Sequence, residues 1–410
     1  MAGAKADRSG AGDDVRRVKV LMLHNRYLTL GGEDVSTAAD VALLKEYGHE
    51  VKLLEQDNRD IEGLGRTRTA MNTLWSSRAF HIVEKELRSG QYDVLHVQNF
   101  FPLWSPAVYY AAAKCSVPVV QTLHNYRLMC VNSFLYRNHG VCEECLGRKL
   151  PWPGVMHGCY RSSRAASATV AGMIGLHNLM RTWSTKVHGY IAVSEFARAK
   201  YITAGLPEEK IAVRPNFLHP APEPGHGGGG YALYVGRLSP EKGIATLLKA
   251  WKAAKDPLPL KIVGEGPLRE LVSAAAQADS AIEYIGARSL DEVLRLMGEA
   301  ELLVFPSEWQ ETMGRTVMEA FAKGTPVLAS ALGPALSMVA PAKTGLHFQA
   351  GNVSSLCAEL DWCSRNLDKV RALRNNARAW FEQNCTGPAS LATLLEVYRR
   401  AGAAQARCAM

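Results

Sequence analysis

The sequence predicts an α/β protein made of two Rossmann-like, doubly wound domains that face each other across a cleft. Short apolar or β-branched runs alternate with helix-length segments, which indicates parallel sheets. This alternation stops at residues 219–230, where the chain reads HPAPEPGHGGGG, and then restarts. A chain of 410 residues is also long for a single hydrophobic core, so two domains are expected.

The first half of the chain carries one set of these runs. A helix is predicted from Glu33 to Tyr47, and Gly48 ends it. We expect the N-terminal domain to occupy residues 17–218, after a small and polar tail at residues 1–16 that should be disordered. The strand-like runs lie at residues 18–24, 49–55, 93–99, 118–125 and 190–194.

The second half repeats the pattern. Residues 219–230 contain too many prolines and glycines for a packed element and are predicted to form a flexible linker. The second domain should then cover residues 231–385, and residues 386–410 should form a C-terminal helix that could cross back to the first domain. A ligand would bind between the carboxyl ends of the two sets of strands. The second set lies at residues 231–237, 260–266, 282–287, 301–307 and 325–330.

The composition sets broad limits on function. A hydrophobic content of 47% with 21% charged residues is ordinary for a globular protein, and the net charge of +8 fits a partner that carries phosphate. No secretory signal and no window of about eighteen consecutive apolar residues is apparent. We therefore expect a cytoplasmic protein that could attach peripherally to the inner face of the membrane. Its nine cysteines would then lie in a reducing compartment, where structural disulfides are uncommon.

The stretch at residues 305–330, FPSEWQETMGRTVMEAFAKGTPVLAS, carries the strongest chemical signal. Glu311 and Glu319 lie eight positions apart around a helix that should begin near Gly314 and end at Gly324. The unpaired amides of its first turn would point into the cleft, where a helix N-terminus suits a diphosphate. The residues predicted to bind the donor at this turn are Met313, Gly314 and Arg315.

This stretch resembles the family 4 retaining glycosyltransferases of the GT-B fold, whose marker is two glutamates with seven residues between them. A small-residue helix and a G-T-P-V-like strand follow, and further family-like motifs extend the resemblance from about Val18 to about Leu395. The resemblance implies transfer of a sugar from a nucleotide-diphosphate sugar to an acceptor hydroxyl, with no cofactor or metal needed for catalysis. It places Glu311 at the donor sugar and Glu319 at the ribose hydroxyls. Two solvated helix carboxylates would be the alternative interpretation.

Three further loops are predicted to face the donor. Arg237 and Lys242 lie five positions apart in GRLSPEKG, where two cations could converge on one pyrophosphate and stabilise the charge that develops on it. Gly31 and Gly32, in the LGGED loop at residues 30–34, would let backbone amides approach a phosphate. Gly264, in GEGP, could lie against the nucleotide base. A tight turn explains the glycines of both loops equally simply.

The acceptor side is expected to follow the fourth strand-like run. His124 ends that run, at a position where the family commonly has a histidine near the reacting sugar. A sugar contact and direct participation in proton movement are both open for this side chain. Asn125 and Arg127 are weaker candidates for acceptor contacts. The acceptor could be a saccharide, a lipid-linked precursor or a small molecule in polysaccharide or other glycoconjugate biosynthesis.

Four cysteines cluster in a loop-rich insertion at residues 126–160: Cys130, Cys142, Cys145 and Cys159. Four thiolates can hold a tetrahedral Zn²⁺, and a loop with little apolar core gains folding energy from such a metal. A structural zinc, packed thiols, and a disulfide or another cluster all stay open, and His139 or His157 could replace one ligand. A subset of sugar transferases resembles this segment through its H-N-Y-R and C-Y-R motifs at residues 124–127 and 159–161.

The chemistry leaves several alternatives. The resemblance implies front-face attack by the acceptor hydroxyl, but Glu311 could instead act as a nucleophile. A non-catalytic basic protein that binds a membrane or nucleic acid is a rival of another class, supported by the basic and apolar segment 161–186, although no nucleic acid is expected for a sugar transferase. A dinucleotide oxidoreductase is excluded, because no G-x-G-x-x-G motif follows the first strand. The donor base, the sugar and the oligomeric state are not identified.

Overall fold

The computed structural model of the protein describes residues 17–28 and 31–409, so the predicted tail at residues 1–16 and Leu30 of the predicted glycine loop lie outside the described residues. The chain forms two α/β units, each built on a parallel sheet of six strands. The predicted fold class, two doubly wound units of Rossmann type, is confirmed.

The first unit has the strand order β2-β1-β3-β4-β7-β8, with every neighbouring pair parallel. Its central strands read as continuous apolar runs because helices cover both faces of the sheet, and all residues of β3 and β4 are buried. The elements of this unit are β1 (Lys19–Arg26), α1 (Gly32–Glu46), β2 (Glu50–Asp57), α2 (Arg66–Leu74), α3 (Ser77–Gly90), β3 (Val94–Val97), α4 (Ala107–Lys114), β4 (Val119–Leu123), β5 (Tyr136–Arg137), β6 (Gly140–Val141), α5 (Trp152–Met156), α6 (Arg164–Leu179), α7 (Thr182–Thr185), β7 (Gly189–Ala192), α8 (Glu195–Thr203) and β8 (Ile211–Val213).

The second unit has the strand order β11-β10-β9-β12-β13-β14, again all parallel. In both units the first strand lies inside the sheet and later strands are added on either side of it, which leaves a crevice at the carboxyl ends of the strands where the direction of winding changes. The elements of this unit are β9 (Ala232–Val235), α9 (Ile244–Ala253), β10 (Leu260–Val263), α10 (Arg269–Ala278), β11 (Ile282–Gly286), α11 (Leu290–Glu299), β12 (Leu302–Phe305), α12 (Arg315–Ala322), β13 (Val327–Ser330), α13 (Ala335–Met338), β14 (Gly345–Phe348), α14 (Val353–Arg365), α15 (Leu367–Ala372), α16 (Arg374–Asn384) and α17 (Gly387–Ala409).

The connecting segment at residues 219–230 does not span open space as a flexible linker would. The amide of Gly225 donates to the carbonyl of Lys323 at 2.9 Å, and that of Gly227 donates to the carbonyl of Gly298 at 2.9 Å. A Cβ on Gly225 would lie 2.2 Å from the Cα of Gly298. The glycines thus allow close packing along the second unit, and the expectation of a freely flexible segment is corrected for this part of the chain.

The chain crosses between the units at two adjacent points. The amide of Leu218 donates to the carbonyl of Cys385 at 3.2 Å, just before α17 begins. This last helix returns to the first unit, where Leu394 and Tyr398 join a core cluster with Val20 and Met22 of β1. Two neighbouring crossings are the natural place for the units to bend relative to one another. Among the described helices, none is long and apolar enough to cross a membrane.

Candidate active site

Glu311 lies in the loop between β12 and α12, where it is 9% exposed and already paired. Its Oε1 accepts a hydrogen bond from the ammonium of Lys242 at 2.6 Å and another from the hydroxyl of Ser307 at 3.0 Å. The sequence predicts that this lysine binds the donor diphosphate and that this carboxylate lies at the donor sugar. The fold brings the two side chains into direct contact.

Glu319 lies one turn inside α12 and is 5% exposed. The helix begins after Gly314, whose φ of 87° is in the left-handed region that favours glycine. Arg315 Nε donates to Glu319 Oε1 at 2.7 Å, and Arg315 Nη1 donates to the hydroxyl of Ser36 on α1 at 3.3 Å. Burial raises the pKa of Glu319, and Arg315 partly opposes that shift. Arg315 thus links the predicted ribose carboxylate to the opposite unit.

Arg237 and Lys242 are held by different carboxylates. Arg237 pairs with Glu241 at 2.5 Å and lies 5.9 Å from the centre of the Phe134 ring, whereas Lys242 pairs with Glu311. Their guanidinium and ammonium groups would therefore have to exchange partners before both could contact one pyrophosphate. The predicted convergence stays a prediction for the donor-bound state.

The glycine loops have more specific roles than the sequence suggested. The amide of Gly31 donates to Asp34 Oδ2 at 2.7 Å, which caps α1 and leaves this amide unable to bind a phosphate at the same time. The donor contact of Gly31 stays a prediction, and its amide would have to leave Asp34 to make it. Gly32, in contrast, faces Arg315, since a Cβ placed on it would lie 3.9 Å from Arg315 Cδ. Gly264 packs so closely that a Cβ would lie 1.9 Å from the carbonyl oxygen of Gly236.

His124 lies at the end of a buried hydrogen-bonded chain that fixes its protonation. Asp40 binds Arg214 at 2.6 Å, and because a carboxylate only accepts hydrogen bonds, the amide nitrogen of Gln98 donates to Asp40 at 2.8 Å. The amide oxygen of Gln98 must then accept from His124 Nε2 at 2.7 Å. Burial lowers the pKa of His124 to about 3. The imidazole is therefore neutral near pH 7, and its Nδ1 is left as a hydrogen-bond acceptor.

The two candidates for acceptor contacts, Asn125 and Arg127, make different contacts within the protein. Asn125 donates to Tyr27 at 3.2 Å and to Glu33, beside the start of α1. Arg127 donates to the carbonyl of Val131 and lies between the rings of Phe101 and Tyr160, 4.3 Å and 5.3 Å from their centres. The guanidinium of Arg127 therefore braces the insertion. Its use as an acceptor ligand has no support in these contacts.

Glu33, which is not among the predicted site residues, lies beside Asn125. One oxygen of its carboxylate accepts from Asn125 and Tyr27, and the other is buried without a hydrogen-bond partner among the described residues. Burial raises the pKa of Glu33, and the bonds from Asn125 and Tyr27 partly oppose that shift. Its position two residues after Gly31, in a loop predicted to bind phosphate, is the sequence feature that indicates it as a site residue.

The segment after β4 meets the glutamate segment directly across the cleft. Thr312 Oγ1 donates to the carbonyl of His124 at 2.9 Å, and the hydroxyl of Tyr126 donates to the carbonyl of Glu311 at 3.0 Å. The Phe134 ring of the insertion contacts Trp309 edge to face, with 5.2 Å between ring centres. The structure therefore joins the predicted acceptor-side motif to the predicted donor-side motif.

The four cysteines of the insertion line one small cavity of about 10 Å³, together with Tyr136 of the hairpin β5–β6. That volume corresponds to roughly one water-sized particle. Burial raises the pKa of the Cys145 thiol to about 12 and also that of Cys130. Within the described residues, no three His, Cys, Asp or Glu side chains already form a set that could hold a metal ion. The sulfurs would have to move together to enclose one.

Neither histidine considered as a substitute ligand takes part in this cavity. His157 Nε2 lies 3.0 Å from a carboxylate oxygen of Glu144, and His139 is exposed to solvent. Of the predicted ligand alternatives, the four-cysteine set is the one that the fold brings together.

Comparison with known proteins covers both units. A family model described as Glycosyltransferase Family 4 matches residues 35–221, and one described as Glycosyl transferases group 1 matches residues 221–380. The two matches meet inside the connecting segment. Together they account for most of the described chain.

Individual relatives agree with these matches. The phosphatidyl-myo-inositol mannosyltransferase of Mycobacterium leprae is 30% identical over 220 residues, which is 50% of this chain and 57% of that protein, so the chain spans little more than half of that relative's length. The Anabaena Alr3699/HepE structure in complex with UDP-glucose has a TM-score of 0.64 at 16% identity, covering 93% of this chain and 99% of that one.

Sucrose-phosphate synthase from Thermosynechococcus elongatus has a TM-score of 0.67 at 18% identity and covers 95% of this chain and 100% of that one. At such low identity these two structures establish the fold alone. With both halves matched in sequence and nearly the whole chain matched in structure, the chain belongs to the family 4 glycosyltransferases and has their two-domain GT-B fold.

Proposed function

We propose that the chain is a retaining glycosyltransferase that moves a sugar from a nucleotide-diphosphate sugar to an acceptor hydroxyl, in polysaccharide, glycolipid or other glycoconjugate biosynthesis. The observation that carries the proposal is the meeting of the two motif segments, in which Thr312 contacts the carbonyl of His124 while Glu311 pairs with Lys242. Carboxylates, cations and a neutral imidazole are the groups that a sugar and a diphosphate require.

For the donor, we assign the ribose hydroxyls to Glu319 and the diphosphate to Arg237, Lys242 and the first turn of α12. Lys242 would leave Glu311 for the phosphate when the donor enters, which frees Glu311 to accept a hydrogen bond from the sugar. The positive charge then stabilises the leaving diphosphate in a cleft that excludes water. The HepE structure, whose fold this chain shares, holds UDP-glucose, which supports a nucleotide-sugar donor.

For the chemical step, we propose front-face substitution. The bond from the anomeric carbon to the diphosphate oxygen breaks, the acceptor oxygen bonds to that carbon on the same face, and the acceptor proton passes to the departing phosphate oxygen. His124 Nδ1 would accept a hydrogen bond from a sugar hydroxyl and orient the ring. We assign Glu311 a hydrogen-bonding and electrostatic role toward the sugar, because front-face substitution needs no nucleophile from the protein and Ser307 still donates to Glu311 Oε1 after Lys242 has moved.

For the cysteine cluster, we propose the zinc alternative. Cys130, Cys142, Cys145 and Cys159 line the same small cavity in a segment with little regular structure. Burial raises the pKa of Cys130, Cys145 and Cys159, so their thiolates are unfavourable unless a cation compensates, and Zn²⁺ bound to four thiolates provides that compensation. The metal would be structural and would fix the loop that carries Phe134.

The rival interpretation, a non-catalytic basic protein that binds a membrane or nucleic acid, is not favoured by the family membership. A cytoplasmic enzyme, either dispersed or attached to the inner face of the membrane, stays our proposal for its location.

The test is a thermal-shift screen against UDP, GDP, ADP and their common sugar conjugates, because a ligand that binds the folded state raises the melting temperature. We expect a shift with one nucleotide class, a much smaller shift for Glu319→Ala, and an unchanged shift for the exposed control Glu382→Ala. The anomeric configuration of the transferred sugar, read by NMR, would then distinguish retention from inversion. If no nucleotide shifts the wild type, the proposed function is wrong.

A further inference from the structure

A large groove lies in the first unit, apart from the donor side of the cleft. Its two walls are the helices α2 and α6, and its volume is about 590 Å³. The small side chains of Ala70 on α2 and of Ala166 and Thr169 on α6 leave space between the two helices. The buried side chains of Val170 and Phe101 form an apolar floor. We call this feature the α2/α6 groove. Its size and apolar floor are those of a ligand site.

Two arginines lie at the mouth of this groove. Arg66 begins α2 and Arg161 lies just before α6, and both line the groove and are exposed. Neither α2, RTRTAMNTL, nor α6, RAASATVAGMIGLHNL, contains an acidic residue. Among the described side chains, Arg66 and Arg161 form no ion pair with a carboxylate. The positive ends of both helices add to the same potential, so the mouth of the groove suits an anion.

One wall of the groove packs against the acceptor-side segment that follows β4. Phe101 and Tyr160, which both line it, hold the guanidinium of Arg127 between their rings. The amide of Arg127 donates to the side chain of Asn125 at 3.0 Å, and Asn125 follows His124 directly. The groove is therefore separated from Asn125 by Arg127 and the two rings that hold it.

From these observations we propose that the α2/α6 groove binds an amphipathic acceptor, with its apolar chain along the floor and a phosphate against Arg66 and Arg161. This inference rests on the proposed function and narrows its acceptor to a lipid-linked phosphate. A purely polar saccharide would leave the apolar floor unused, and an uncharged one would not use the two arginines at the mouth of the groove.

The test uses the full chain and dodecyl phosphate below its micellar concentration, with binding measured by calorimetry. We expect dodecyl phosphate to bind, and to bind more tightly than both inorganic phosphate and the uncharged dodecyl maltoside. The double variant Arg66→Ala/Arg161→Ala should weaken it by about tenfold or more. Ala166→Trp, which fills the groove, should abolish binding.

Two matched controls lie outside the groove. Ala168→Trp is on the exposed face of the same helix, and Arg78→Ala is at the start of α3. Each should leave the affinity for dodecyl phosphate within about twofold of the wild type.

The UDP, GDP and ADP thermal shift is measured on every variant, so that loss of the donor site and loss of the groove are distinguished. Groove variants that keep the nucleotide shift but lose dodecyl phosphate support the inference. Equal binding of dodecyl maltoside and dodecyl phosphate would overturn it, as would dodecyl phosphate binding that survives Ala166→Trp. Binding to anionic vesicles that Ala166→Trp leaves unchanged would indicate a membrane-surface contact and would also overturn it. A wild type with no nucleotide shift would instead remove the proposed function on which the inference rests.

Discussion

The ammonium of Lys242 lies 2.6 Å from Glu311 Oε1, although the two residues come from different loops of the second unit and are 69 positions apart. The same cation is the one that the donor diphosphate would use. The protein therefore keeps its own carboxylate as a substitute partner for the lysine. On the proposed assignment, donor binding would be an exchange of partners, and Lys242 would be paired both before and after it.

Replacing Lys242 by methionine tests this exchange. The variant removes the cation that would stabilise the leaving diphosphate, so we expect kcat to fall by about 10²- to 10³-fold. The measurement is initial-rate kinetics with the donor found in the nucleotide screen. Lys249→Met, an exposed lysine on α9, is the matched control and should keep wild-type rates. An unchanged kcat for Lys242→Met would contradict the assignment of this lysine.

The buried His124 should make stability depend on pH. The pKa of the folded histidine is about 3, whereas an unfolded histidine titrates near 6.5. Between these values the unfolded chain binds more protons, so the free energy of unfolding should fall as the pH decreases from 6.5 toward 3. Above pH 6.5 this contribution is fully retained. Burial also lowers the pKa of His96 and of His188 to about 4, so both histidines likewise lower the free energy of unfolding as the pH falls.

Urea unfolding of wild type and His124→Asn from pH 7 to pH 4 measures this dependence. The variant should reduce the slope of the free energy of unfolding by up to about 1.4 kcal/mol per pH unit. His226→Asn, in the segment between the units, is the control and should keep the wild-type slope. Equal slopes for wild type and His124→Asn would show that His124 already takes up a proton in this range.

The zinc proposal predicts a metal content. Protein purified without chelators should contain about one zinc per chain by mass spectrometry, because four thiolates complete one tetrahedral site. Cys145→Ser should lower both the zinc content and the melting temperature, and it should impair acceptor use more than nucleotide binding. Cys357→Ser, on α14 and outside the cluster, is the matched control. Zinc-free wild type with the full melting temperature would favour packed thiols instead.

Gly264 and Gly402 should respond to alanine in opposite directions. A Cβ on Gly264 would lie 1.9 Å from a backbone oxygen, and its φ of 143° is one that alanine rarely adopts, so Gly264→Ala should destabilise the chain by about 2 kcal/mol or more. A Cβ on Gly402, inside α17, meets nothing within 4 Å, so Gly402→Ala should stabilise by about 0.5–1 kcal/mol. Denaturant melts of both variants measure the difference, and equal effects would contradict this packing.

Features that depend on patterns of a few neighbouring residues could be predicted from the sequence. The parallel sheets follow from runs of apolar residues, since a strand buried on both faces needs them throughout, as in β3 and β4. The helix N-terminus after Gly314 follows from the glycine and from the spacing of the two glutamates. The strands β8 and β14 were missed because they are short edge strands that are buried only in part.

Contacts between distant residues were decided by the tertiary structure alone. Arg315 and Ser36, for example, are 279 positions apart, and no local pattern indicates that they meet. The same holds for Arg127, whose guanidinium lies between the rings of Phe101 and Tyr160. Sequence specifies which groups are available, because backbone preferences and burial patterns act over a few residues. Which cation meets which carboxylate, and where a groove remains open, depends on how the two sheets and their helices pack, and that packing is a property of the whole chain.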